Sequence, residues 1–304
     1  MAGSGAPGRA RWRKATLVVG VPFLLLALIY AYRDIGSVVL PHPTRWGIAF
    51  LAAISFLVLS QMSWSALLPT GGTPIDRLTF YESQLVKYSP FGGVAQTASQ
   101  ALTLDRDTMS LGRAVRSVLL SKLTAAAGGA AWAPLLAVTG DFAVPQRAVL
   151  LFIGASVLLV HPVVLASLCR LAGRVRPALD ISDEIPPVST LLRSVMLGAA
   201  AVGVAGLGFA ILAGADSEGP VAVLAAASGF ALAWTVGLLA VPLPGGLGVR
   251  ELVIGLLVGL PSGVTLVAAL VLRVVQMVAE VALIAHGRFR TRGAVDRVEE
   301  VEHR

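Results

Sequence analysis

Residues 263–285 read GVTLVAALVLRVVQMVAEVALIA. A helix needs roughly 20 apolar residues to cross the hydrocarbon core of a bilayer, and this stretch supplies them. Its second half carries Arg273, Gln276 and Glu280. Spacings of three, four and seven place these side chains on one helical face. A charge near the middle of such a segment costs several kcal/mol or more unless it is paired. The stretch therefore predicts a membrane helix with a polar stripe that faces protein or a wet cavity.

The rest of the chain agrees with that solvent. The 304 residues are 56% hydrophobic and 13% charged, against about a quarter charged in a soluble domain. Further apolar runs occupy about 15–32, 46–68, 115–139, 148–171, 190–213 and 220–241. The predicted fold class is all-α, a polytopic helical bundle of about seven or eight crossings. Residues 1–14 form a basic tail, 15–290 the membrane domain and 291–304 a charged tail. The first run follows Arg9, Arg11, Arg13 and Lys14 but ends without a small-residue cleavage site, so it reads as a retained helix.

The net charge of +7 sits in short segments between apolar runs, which follows the positive-inside rule and gives no reason to expect nucleic acid as a partner. Basic clusters at 9–14, 106–116, 170–176 and 288–297 alternate with loops poor in positive charge. That alternation predicts a multi-pass protein of the cell membrane with both termini in the cytoplasm. Parity then requires 242–260 to cross as well, as an irregular entry followed by a short helix.

Two segments are too irregular for ordinary spans. Lys87-Tyr88-Ser89-Pro90-Phe91-Gly92-Gly93-Val94 turns inside 74–105, and Val241-Pro242-Leu243-Pro244-Gly245-Gly246-Leu247-Gly248 precedes a short helix. Each has proline, a glycine pair and an aliphatic residue. One reading makes them matched re-entrant breaks of an inverted repeat, the best sequence pointer to a transporter's binding site. The other makes them independent Pro-Gly turns.

Backbone that is not helical at membrane depth must be buried in protein or line a wet cavity. There, Gly245, Gly246 and Gly248 would present N–H groups, and the helix after them would aim its positive end at the break, favouring an anion. Arg250 adds charge and Glu251 a cap; alternatively, the segment is a surface turn with a capped helix. Arg273 suits bidentate binding of a lipid phosphate, or else it pairs structurally, with Glu251 for example. Gln276 could bridge Arg273 to Glu280, which stand about 10 Å apart along the axis, or each could pair elsewhere. Lys87, Glu82 and Lys122 can also be read as snorkelling side chains. His161-Pro162 reads as a histidine satisfying a carbonyl freed by the proline, with proton relay through His161 or Glu280 as the alternative. No metalloprotease, nucleophile-elbow or Walker A motif occurs, and one cysteine, Cys169, makes a cysteine-based metal site improbable. The reading assigns no catalytic residue, metal or cofactor.

Pro242 to Glu251, Pro-x-Pro-Gly-Gly-x-Gly-Val-Arg-Glu, resembles the PxPGGLGxxE signature of the lysylphosphatidylglycerol synthase transmembrane family. The KYSPFGG segment is similar to that family's first-half motif, and Arg273 matches its late-helix arginine. The resemblance covers roughly residues 15–290 and implies a stand-alone flippase-type domain, without the soluble lysyl-transferase domain.

Two functions follow as expectations. In the first, the protein is a bacterial envelope flippase that moves an anionic or polyprenyl-phosphate-linked lipid between leaflets. The headgroup would sit near Lys87, Arg250, Arg273, Gly245, Gly246 and Gly248. Tyr88, Pro90, Gly92, Gly93, Pro244, Glu251, Gln276 and Glu280 would support it. In the second, the chain is a non-catalytic membrane partner of an envelope glycosyltransferase or lipid-modifying enzyme, with a second copy of itself as a further candidate partner. A polyprenyl-phosphate lipid transferase ranks last.

Overall fold

The computed structural model describes residues 41–68, 71–88, 92–104, 111–139, 161–175, 185–239, 249–258, 260 and 262–302. Every element among them is helical. In chain order these are α1 (Pro43–Ser65), α2 (Pro74–Val86), α3 (Gly92–Thr103), α4 (Leu111–Ala130) and α5 (Ala133–Thr139). Then follow α6 (Pro162–Val175), α7 (Val188–Leu212), α8 (Pro220–Leu239), α9 (Val249–Leu257) and α10 (Ser262–Glu302).

Four segments are long and apolar enough to cross a membrane: Pro43–Ser65, Val188–Leu212, Pro220–Leu238 and Gly263–Arg290. They coincide with four of the runs predicted from sequence. The run at 15–32 and most of 148–171 lie outside the described residues, as does the entry 242–248. The run at 115–139 corrects the reading of one continuous span, because the helix breaks between α4 and α5. Pro134 explains the break: its ring would clash with the carbonyl of Ala130, and it has no N–H to donate there. Similarly, Pro162 opens α6, so the helix following His161 begins inside the expected run. At the other end, α10 continues through Glu302, past the end of its apolar segment at Arg290.

α7 is the central helix, packed against α1, α4 and α8. Its small residues permit this. A Cβ at Gly208 would lie 2.9 Å from the Ala52 methyl, and one at Gly206 would press on the Ala227 carbonyl. Phe209 and Phe230 stack at 5.3 Å in the core so formed, and Trp234 meets Phe56 edge-on. Without water to satisfy them, buried hydroxyls must find partners among the helices. Ser63 Oγ donates to the Ser194 carbonyl at 2.8 Å, and Ser194 Oγ to Thr124 Oγ1 at 2.9 Å, tying α1, α7 and α4 together. Trp132 Nε1 donates to the Ala199 carbonyl at 2.9 Å and fixes the turn before α5.

α2 begins with a capping box in which Thr73 and Asp76 satisfy each other's backbone N–H groups. It runs antiparallel along α10: Leu78 abuts Gly287, Arg288 holds Glu82 at 2.9 Å, and Lys87 reaches Glu280. α3 packs back on α2, and α9 packs on α8. Both Pro-Gly-Gly segments thus join helices that lie against one another.

Candidate functional site: a basic cavity

The face of α10 bearing Arg273, Gln276 and Glu280 is fully covered, with none of the three more than 4% exposed. They lie around the midpoint of Gly263–Arg290, which falls between Gln276 and Met277. Both helix pairs containing a break deliver their charges to this level.

From α9, Glu251 Oε1 accepts from Arg273 Nε at 2.9 Å and forms an ion pair with its Nη2, also at 2.9 Å. Arg250 Nε stands 3.5 Å from the same oxygen, a charge contact without hydrogen-bond geometry. Its guanidinium also lies over the Phe230 ring, 5.4 Å from the centroid. From the end of α2, the Lys87 ammonium pairs with Glu280 Oε1, and the Tyr88 hydroxyl points at the same oxygen from 3.5 Å. Arg273 and Glu280 therefore each pair with another helix. Gln276 does not bridge them, and its Nε2 has no hydrogen-bond partner.

Gly92 shows why the first break needs glycine: a Cβ there would overlap the Lys87 carbonyl. α3 can then begin directly behind the end of α2, with Gly93 on the wall of the cavity described next. Pro90, Pro244, Gly245, Gly246 and Gly248 lie outside the described residues.

Between these elements is a cavity of about 560 Å³. Its polar side carries Lys87, Tyr88, Lys122, Arg250, Arg273 and Gln276; its apolar side includes Phe56, Val94, Val115, Leu119 and Trp234. Val94 and Leu119 are also about half exposed on the outer surface, at 53% and 48%, so the cavity opens between α3 and α4 past apolar side chains.

The sequence reading set Lys122 aside as a snorkelling side chain and did not single out Gln96. Lys122 Nζ donates to Gln96 Oε1 at 2.8 Å within the cavity, which corrects its assignment as a snorkelling side chain near a helix end. Once α4 stops at Ala130, Lys122 lies just past the middle of Leu111–Ala130; Pro134 was the signal for that. Glu82 pairs with Arg288 away from the cavity, and His161 is exposed just before α6. Among the described residues, no three of His, Cys, Asp and Glu gather closely enough to hold a metal ion.

The arrangement can neutralise an anion and can accommodate apolar groups beside it. The class so defined is a helical membrane protein with a buried basic cavity. Comparison with family models, curated proteins and solved structures finds no match to this chain.

Proposed function

We propose that the protein is a transporter that moves an anionic or phosphate-linked membrane lipid between leaflets, holding the headgroup in the basic cavity. The observation that carries this reading is the convergence of Lys87, Lys122, Arg250 and Arg273 on one cavity, against two carboxylates, Glu251 and Glu280, in contact with them. A headgroup phosphate entering there exchanges hydration for charged hydrogen bonds. The opening beside Val94 and Leu119 lets acyl or prenyl tails remain in the bilayer.

In this account the two Pro-Gly-Gly segments are re-entrant breaks within a bundle of seven or eight crossings, in the plasma membrane with cytoplasmic termini. That the described residues flanking them, Tyr88 with Gly93 and Leu238 with Arg250, line one cavity supports this, since irregular backbone at membrane depth requires an enclosed polar space. The resemblance of Pro242–Glu251 to the lysylphosphatidylglycerol synthase transmembrane signature points the same way.

The test is reconstitution into liposomes carrying fluorescent analogues of anionic phospholipids in one leaflet. Wild-type protein is expected to expose the label to an external quencher faster than Arg250→Gln protein of equal thermal stability. Equal rates for wild type, variant and protein-free vesicles, with folded protein, would overturn the proposal.

A further inference from the structure

The charges around the cavity do not balance. Glu280 neutralises Lys87. Glu251 is shared, at 2.9 Å from Arg273 and 3.5 Å from Arg250. Lys122 donates to the neutral amide of Gln96. Four cations therefore face two carboxylates among the described residues, an excess of two positive charges.

Unused hydrogen-bonding capacity has the same sign. Arg250 is 5% exposed, yet its Nε and Nη2 donate to nothing. Gln276, 4% exposed, has an equally unengaged Nε2. Both residues line the cavity. Glu280 Oε2 is the unpaired acceptor nearby, but Glu280 is fully buried behind Lys87 and Tyr88 and does not line the cavity. Taking an ion out of water without compensation costs several kcal/mol, so a ligand that cancels both charges is favoured over one that cancels a single charge.

Building on the lipid-headgroup reading above, we infer that the cavity selects a headgroup carrying two negative charges, a phosphomonoester or a diphosphate esterified at both ends on an apolar tail, over a singly charged phosphodiester. Lys122, which donates to a neutral amide, and Arg250, which shares Glu251 with Arg273, are the two cations left for it. A terminal phosphate offers three acceptor oxygens to the Arg250 and Gln276 donors, and a phosphodiester offers two unesterified ones.

Trp234 lines the cavity, so its fluorescence reports occupancy, with Trp234→Phe as the control for signal from the other tryptophans. Purified protein is titrated at pH 8, where a phosphomonoester carries about two charges. The probes are short-chain phosphatidic acid, phosphatidylglycerol with the same chains, and inorganic phosphate. Phosphatidic acid is expected to bind about tenfold or more tighter than phosphatidylglycerol, a difference of about 1.4 kcal/mol. Lys122→Gln, checked for unchanged melting, should bring the two affinities together while phosphatidylglycerol binding persists.

Equal affinities in wild type, or a preference that survives Lys122→Gln, would overturn the two-charge inference and leave the anion site standing. Inorganic phosphate binding as tightly as phosphatidic acid would uphold the charge selection but contradict a lipid as its source. No response to any of the three would contradict the headgroup site itself.

Discussion

Glu251 and Glu280 each face a cation from another helix, and the environments of these pairs set what their loss would do. Breaking a buried pair by removing one partner costs about 3–5 kcal/mol, because a charge is left uncompensated. Exposed pairs contribute about 0–1 kcal/mol. Glu251→Gln should therefore lower the melting temperature in detergent far more than Asp216→Asn, which removes the exposed partner of Arg45. Equal shifts would mean that Arg273 is compensated without Glu251. Much of this constellation was legible in the sequence: an arginine and a glutamate inside an apolar run must have partners, and Glu251 was one named candidate. Lys122 was not legible, because its depth depends on where its helix ends, and that is set by Pro134 on the far side of a turn.

Among the elements, the α2–α3 hairpin decides whether the cavity has its lysine and tyrosine. Its register against α10 predicts that Leu78→Cys and Gly287→Cys, in a Cys169→Ser background, will be bridged by a short bifunctional thiol reagent, since Leu78 Cδ1 lies 3.1 Å from a Cβ built at Gly287. Failure to cross-link in folded protein would show that α2 docks elsewhere. The close approach at the turn gives a second prediction. Gly92→Ala should destabilise the protein and weaken phosphate binding, because the new methyl displaces the Lys87 carbonyl. Gly255→Ala, where a Cβ meets nothing within 4 Å, should be neutral or stabilising by up to about 1 kcal/mol through helix propensity. A Pro-Gly-Gly string announces a change of direction, and at the first of the two the described end of α2 and start of α3 agree, while the second lies outside the described residues. Such a string does not specify which neighbouring helix receives the ends, because that is fixed by pairings across nearly 200 residues, such as Lys87 with Glu280 (193 apart).

At the scale of the molecule, apolar run length made the bundle legible: α1, α7, α8 and the apolar part of α10 sit where hydropathy placed them. Prolines within the remaining runs made them harder to delimit from hydropathy alone. What hydropathy cannot express is the charge balance of the interior, which emerges only when α2, α4, α9 and α10 are brought together. The central claim is that this interior holds a lipid phosphate, and mass spectrometry of lipids retained through purification tests it most directly. Wild-type protein should carry a phosphate-bearing lipid enriched over the bulk membrane, and Arg250→Gln protein of matched stability should lose that enrichment. The same bulk lipid profile in both would contradict the account and leave the buried arginines with a purely structural role.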